Sequence, residues 1–464
     1  MNRKLNEFIE NIKGKRVAIL GIGISHIPLI RYLAEFGVDI TAFDKSDKNK
    51  LKEVINEFKD LNVKYSLGDD YLKRLKGFDI IFKTPGMRFD VPEIEAARLN
   101  GSKITSEMEV FFEVCPAQIF AVTGSDGKTT TTTLIYKMLT QQGYNCWLGG
   151  NIGTPLLNRI DEIKETDKVV LELSSFQLHT MNLSPQVAVV TNLAPNHLDM
   201  HKSMDEYIEA KKNIYLHQKS SDKLIVNFDN DITRDFIKEA KGKVVYFSRV
   251  NKIQSGAKMS QGMLVYSDSK NEREIVNAED IVIPGVHNIE NYLAAIAAVI
   301  DYVEIDNIRK VATTFKGVEH RIELVREYDG IKFYNDSIAS SPSRTIAGLN
   351  SFKQKVILIA GGYDKKIPYD IMGDVIANKV KCLVLIGQTA PKIENALMDE
   401  IDKTGNGKDI IILRCNTLKE AVKKAYEYAK SGDIITMSPA SASFDMFKNF
   451  EERGKQFKDI VNSL

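Results

Sequence analysis

The sequence predicts an α/β protein of three domains: a Rossmann-like N-terminal domain, a central P-loop-type domain with a mostly parallel sheet, and a Rossmann-like C-terminal domain. Three observations carry that reading. At 464 residues the chain exceeds what one hydrophobic core organises. Apolar runs of strand length, ending in glycine or proline turns, alternate with helix-period patterns, which indicates parallel strands joined by right-handed crossovers. A glycine loop, TGSDGKTT, stands between one such strand and a long helix.

In order along the chain, RVAILGIG reads as a buried strand entering a glycine turn, and HIPLIRYLAEFG as the helix after it. DITAFD is a second strand, and FDIIFKTPGM a later one closing on a Pro-Gly turn. The second domain opens at QIFAVTGSDGKTTTTTLIYKMLTQQG and continues through the strands VVLELS and QVAVVTNL. From about residue 241 to 280 the helical period disappears, which predicts strands and hairpins. The helix NIENYLAAIAAVIDYV follows. The pattern breaks near residues 315–319, and a third α/β unit begins with GIKFYNDS and continues through KVILIAGG, KCLVLIG and DIITMSP. There is no repeat of fixed period and no low-complexity tail. The predicted domains are 1–106, 107–317 and 318–464.

Composition narrows the function classes. The 63 basic and 62 acidic residues leave a net charge of +1, so no charge excess calls for nucleic acid or an anionic membrane as partner. No apolar stretch approaches the roughly 20 residues needed to span a bilayer. The first residues, MNRKLNEFIENIKGKR, lack the apolar core of a secretion signal. Four cysteines, Cys115, Cys146, Cys382 and Cys415, stand apart with neither metal nor disulfide spacing, as expected of reduced thiols in a cytoplasmic enzyme.

Residues 123–130 carry the clearest chemistry. A glycine loop between strand and helix points backbone N–H groups at an anion, and the helix dipole adds positive potential. Lys128 is spaced to reach terminal phosphates, and Thr129 to offer its hydroxyl to Mg²⁺. The general pattern GxxxxGK[ST] wants glycine where this chain has Val122, and Gly124 and Gly127 partly compensate. Glu172 leaves the strand VVLEL beside this loop, a position suited to a metal ligand or to a solvated strand end. His197 and Asp199 follow the strand QVAVVTNL in NHLD. In the helix YIEAKKNIY, spacing alone does not choose between Lys211 and Lys212. Gly21-Ile22-Gly23 lacks the third glycine of a dinucleotide fingerprint, so a structural turn and a nucleotide site are equally compatible with it.

Taken together and in order, GSDGKTTT, GGNIGTP, LELSSFQL, NHLD followed by YIEAKKNIY, GVHNIENYLAAIAA, EHR, NDS and SPASASFDMFKNFEERG resemble the Mur ligases, and among them the members that add D-glutamate. The resemblance spans nearly the whole chain. It implies ATP on Gly124, Ser125, Asp126, Gly127, Lys128, Thr129 and Thr130, with Asn288, Asn291, Arg321 and Asp336 handling adenine, ribose and phosphates. Two Mg²⁺ ions are implied, held by Thr129 and Glu172 and by His197 with a carbamylated Lys211. Lys128, His197, Lys211, Glu172 and Asn151 become the catalytic set, with Asn151 contacting substrate and the transferred phosphoryl group.

The uridine diphosphate sugar is implied on Gly23, Ile24, Ser25, Asp44, Lys45, Ser46, Thr84, Pro85 and Gly86. The amino-acid pocket is implied at Ser340, Lys365, Ser443 and Phe450. The implied substrates are UDP-N-acetylmuramoyl-L-alanine and glutamate, joined through an acyl phosphate by a cytoplasmic monomer that touches neither nucleic acid nor membrane. One departure stands out: where relatives read Asn-Asp-Ser-Lys, this chain has Asn335-Asp336-Ser337-Ile338. The alternatives are the same chemistry with L-glutamate or another acceptor, and a P-loop nucleotide-binding protein without ligase activity.

Overall fold

Strands buried on both faces read as continuous apolar runs, because crossover helices cover both sides of a parallel sheet. The computed structural model describes residues 3–88, 90–195, 201–268 and 271–464. In it the N-terminal runs are β1 (Arg16–Leu20), β2 (Asp39–Asp44), β3 (Val63–Leu67), β4 (Ile80–Lys83) and β5 (Lys103–Thr105). They pair in parallel in the order β3-β2-β1-β4-β5. The strand order reverses between β1 and β4, so the loops leaving their carboxyl ends border the crevice where open α/β sheets take ligands.

The second sheet has nine strands: β6 (Gln118–Thr123), β7 (Cys146–Gly150), β8 (Lys168–Glu172), β9 (Val187–Val190), β10 (Lys223–Asn227), β11 (Lys243–Ser248), β12 (Gly256–Ser260), β13 (Met263–Ser267) and β14 (Glu272–Asn277). Their order is β14-β13-β12-β11-β10-β9-β6-β8-β7. Pairing is parallel from β7 to β12 and antiparallel from β12 to β14, in line with the loss of helical period after residue 241. These two sheets belong to one compact unit, Met1–Asn277 with Glu290–Val311. The helix Arg3–Ile12 buries Leu5, Ile9 and Ile12, one face at i, i+4 and i+7, in a hydrophobic core shared with both sheets.

The second unit, Ala278–Ile289 with Ala312–Leu464, holds the third sheet. Its strands are β15 (Glu323–Tyr328), β16 (Ile331–Asn335), β17 (Val356–Ala360), β18 (Val380–Leu385), β19 (Ile411–Arg414) and β20 (Ile434–Met437), ordered β15-β16-β20-β17-β18-β19. All pair in parallel except β15 with β16. The sheet thus begins one strand earlier than GIKFYNDS suggested. Asp329 and Gly330, with φ of 51° and 74°, make the tight turn between β15 and β16.

Candidate active site

The glycine loop leaves β6, which lies between β8 and β9 in its sheet. Gly124 adopts a φ of 148°, and a Cβ there would stand 1.9 Å from Thr191 Oγ1. Gly127, at a φ of 77°, caps the helix Lys128–Gln142, and a Cβ there would stand 2.2 Å from Asn291 Oδ1. Both positions demand glycine, for backbone angle and for space. The loop is braced from β9: Asp126 N donates to Asn192 Oδ1 at 3.0 Å and Thr191 Oγ1 donates to the Asp126 carbonyl at 2.6 Å. Ser125 Oγ donates to the Ala194 carbonyl at 2.9 Å and lies 3.0 Å from the Tyr207 hydroxyl. Lys128 Nζ curls back over the loop, donating to the carbonyls of Gly124 and Ser125 at 3.0 and 2.9 Å. Thr129 is half-buried beside it, and Thr130 is buried.

Glu172 closes β8 beside this loop and is 1% exposed. Its Oε1 accepts from Asn151 Nδ2 at 2.8 Å, and its backbone carbonyl accepts from Asn151 N at 2.8 Å. Its Oε2 is buried without a hydrogen-bond partner among the described residues. A buried carboxylate oxygen left over beside a phosphate loop is what a Mg²⁺ ligand needs. Lys211, on the helix Met204–Lys212, is also 1% exposed. Its Nζ donates to Thr123 Oγ1 at 3.0 Å and to the Gly124 carbonyl at 2.9 Å. Burial holds this amine well below the usual lysine range. Lys128 lowers it further, against a smaller opposing pull from Glu172. Of the two lysines, Lys211 is the one in contact with the glycine loop. Lys212 points away, to Glu239 and Glu209 at 2.7 and 2.8 Å. His197 lies outside the described residues.

The residues expected to hold the uridine diphosphate sugar meet at the crevice of the first sheet. Asp44, at the end of β2, accepts from Ile22 N and Ser46 N, both at 2.8 Å. Gly21, with a φ of 90°, packs against Thr84, whose Cγ2 would lie 3.3 Å from a Cβ there. Gly23, Ile24 and Lys45 are exposed, as is Gly86, while Ser25, Ser46, Thr84 and Pro85 are half-buried.

Asn291 is buried on the helix Val286–Val299, its Oδ1 accepting from Thr131 Oγ1 at 3.3 Å. In the second unit, Asn288 is buried too, its Nδ2 donating to the Pro284 carbonyl at 2.5 Å. Asp336 follows β16. Burial pushes its carboxyl up to about 7, opposed by the Ser438 hydroxyl, which donates to Oδ2 at 2.7 Å, and by the Arg321 and Arg344 charges. Ser443 is buried, Ser340 and Phe450 are half-buried and Lys365 is exposed.

Sequence reasoning missed Arg453, which is 1% exposed. Its Nη2 donates to the Ser337 carbonyl at 2.8 Å and its Nε to Ser337 Oγ at 3.0 Å. Its Nη1 donates to the carbonyls of Ser441 and Ala442, both at 3.1 Å. One guanidinium therefore ties the NDS segment to the SASF loop. The signal was available: Arg453, Phe457 and Val461 stand at i, i+4 and i+8 on the buried face of the helix Phe450–Asn462.

Three family models match the chain: a MurD-like Mur ligase N-terminal domain over residues 15–106, a Mur ligase middle domain over 122–299 and a Mur ligase glutamate ligase domain over 320–441. The UDP-N-acetylmuramoylalanine–D-glutamate ligase of Acetivibrio thermocellus is 70% identical over the full length of both chains. The protein of the same name from Ruminiclostridium cellulolyticum is 61% identical, again over the full length of both. Among solved structures, UDP-N-acetylmuramate–alanine ligase from Thermotoga maritima is 19% identical, with a TM-score of 0.58 over 97% of this chain and 99% of that one, a likeness of fold.

Proposed function

The chain belongs to the Mur ligase family, and from that premise we propose that it adds D-glutamate to UDP-N-acetylmuramoyl-L-alanine at the expense of ATP. The family is one of ATP- and Mg²⁺-dependent ligases in peptidoglycan synthesis, and this chain is an enzyme of that class. The acceptor and the sugar nucleotide rest on the names carried by relatives of 61–70% identity along the whole chain. The domains are taken as 1–106, 107–317 and 318–464, and the cytoplasm as the compartment.

The observation that carries the chemistry is the pair of buried groups flanking the phosphate loop: the Glu172 carboxylate with one oxygen unmatched and the Lys211 amine, 1% exposed and bonded to Thr123 Oγ1 and the Gly124 carbonyl, where burial disfavours its charged form. The alanyl carboxylate attacks the γ-phosphorus of ATP; ADP leaves and an acyl phosphate forms. The glutamate amine then attacks the acyl carbon, phosphate departs, and the nitrogen loses a proton. The first step brings two anions together, so Lys128 must leave its loop carbonyls and place its charge between them. Asn151 fixes the Glu172 carboxylate, and Thr129 and Glu172 are assigned to a Mg²⁺ ion. When bound, that ion supplies charge neutralisation at the transferring phosphoryl group.

An uncharged Lys211 amine is a nucleophile for CO₂. Attack on the carbon with loss of a proton from the nitrogen yields a carbamate, which would give Lys211 the oxygen atoms to hold a second ion with His197. Arg321, Asn288, Asn291 and Asp336 are assigned to the nucleotide. Lys365, Ser340, Ser443 and Phe450 are assigned to the amino acid.

Purified enzyme given ATP, the alanyl precursor labelled with oxygen-18 in its carboxylate, and each glutamate enantiomer separately tests the reading. Label in the released phosphate with D-glutamate is the expected result. Preference for L-glutamate overturns the acceptor, and label confined to the peptide overturns carboxylate activation.

A further inference from the structure

A second cluster of potential ligands lies outside the set assigned to the phosphate loop. His179 caps the carboxyl end of the short helix Ser175–Leu178. His201 precedes the helix Met204–Lys212, and Glu206 stands in that helix's first turn. His179 Nε2 lies 3.5 Å from Glu206 Oε1, and His201 Nδ1 lies 3.7 Å from Glu206 Oε2. All three donor atoms fall within 4.8 Å of one another. Two ligands bound to tetrahedral zinc at 2.0–2.1 Å are about 3.3–3.4 Å apart. One edge of such a tetrahedron is nearly formed with either Glu206 oxygen, and the longest separation has to shorten by no more than about 1.5 Å.

The rings are held in place. His201 is 3% exposed, with Phe176 stacked on it at 5.2 Å and 5° between planes. The His179 ring lies parallel to it at 6.0 Å, and Tyr207 meets it edge-on at 5.3 Å. His201 Nε2 is 2.9 Å from Ser175 Oγ. That contact turns Nδ1 toward Glu206, in the way outer partners orient metal-binding imidazoles. Glu206 also accepts from Arg88 Nη2 at 3.1 Å and from Lys202 N. Arg88 can release it at little cost, because it already makes two bonds to Asp90, at 2.8 and 3.0 Å. A cleft lined by Lys83, Met87, Phe176 and Thr180 reaches both histidines and provides an entry path.

We propose that His179, His201 and Glu206 form a zinc site with an open fourth position, separate from the Mg²⁺ centre and independent of the acceptor assigned above. Two imidazoles and one carboxylate suit zinc, whereas Mg²⁺ prefers oxygen ligands in an octahedron. The ion would clip the helix that carries Lys211 to the segment that follows Glu172.

The test uses the full-length protein, stripped with a chelator and kept in excess Mg²⁺, titrated with Co²⁺ as a spectroscopic stand-in. The expected result is a tetrahedral visible band at one equivalent, displaced by Zn²⁺, lost in His179→Gln and retained in Glu172→Gln. Ser175→Ala should weaken the binding roughly tenfold to a hundredfold. Anomalous scattering at the zinc edge from wild-type crystals gives a second readout free of any variant, with a peak expected between His179 Nε2 and His201 Nδ1. Absence of the band, its survival in His179→Gln, its loss in Glu172→Gln, or a peak elsewhere overturns the proposal and leaves the trio as an ion-pair cluster with Arg88.

Discussion

Replacing Asn151 by alanine isolates what orients the Glu172 carboxylate. The amide bond from Asn151 Nδ2 to Glu172 Oε1 is lost, while the backbone bond from Asn151 N to the Glu172 carbonyl, at 2.8 Å, survives, so the loop keeps its course. A hydrogen bond to a charged group contributes about 1.5–3 kcal/mol. Each ~1.4 kcal/mol is a factor of ten in affinity. If that energy goes into presenting Oε2, Mg²⁺ binding weakens roughly tenfold to a hundredfold, the range found when partners behind metal ligands are removed. The assay is the Mg²⁺ dependence of ATP turnover at saturating precursor and glutamate, with Glu172→Gln as the ceiling. The activation constant should rise by that factor while the melting temperature moves little. An unchanged Mg²⁺ constant with a raised KM for the precursor alone would refute the reasoning, since Asn151 would then serve the substrate and not the carboxylate.

Lys211→Ala should nearly abolish turnover and recover part of it with added acetate, whereas Lys212→Ala, which breaks only the contacts to Glu209 and Glu239, should stay near wild type; equal sensitivity of the two would count against a special Lys211. Gly124→Ala should remove ATP-dependent thermal stabilisation, because its Cβ would meet Thr191 Oγ1 at 1.9 Å; normal ATP binding would mean that the loop yields there. Glu107, buried at the start of the helix Glu107–Val114, has its carboxyl pushed from 4.5 up to about 7 by burial, against backbone N–H groups of Leu157 and Leu156. Because the folded value is raised, its stabilising contribution is full below pH 4.5 and is lost as pH rises through 7. Glu107→Gln should therefore gain on wild type by about 3 kcal/mol between those limits, read as a melting-temperature gap that widens at pH 8; a gap independent of pH would show the carboxyl to be ionised throughout.

The residues that were legible share a position: each ends a strand, lies in the loop after it or begins the helix that follows. Gly124, Lys128, Glu172 and Asp44 could be placed because strand, turn and helix patterns set their height above a sheet. Spacing alone does not choose between Lys211 and Lys212, because neighbouring helix positions differ by about 100° and both lie in a run of charges; the family resemblance points to Lys211, and only the fold shows its contacts with Thr123 and Gly124, nearly ninety residues away in sequence. Arg453 escaped because a charged residue on an apolar stripe is readily taken for a solvated face. The β15–β16 hairpin was written locally, as Asp329-Gly330 between two β-rich runs, and passed over because neighbouring segments read as crossovers. His179, His201 and Glu206 come from two segments and carry no motif, so only the folded chain unites them.

The third sheet has a bearing on how the chain is made. An inner strand, β20, joins the β15–β16 pair to the β17–β18–β19 block, and of the six strands of this sheet it is the last in chain order. Arg453, which satisfies the Ser337 carbonyl, emerges later still. Translation thus yields two half-sheets with open edges, and their union waits for β20 to emerge, an interval in which unpaired strands are exposed to aggregation. A nascent chain stalled before residue 430 should remain protease-sensitive across β16 and β17, and should become resistant once the final helix clears the exit tunnel. Resistance in the stalled chain would show that the halves hold together without their middle strand.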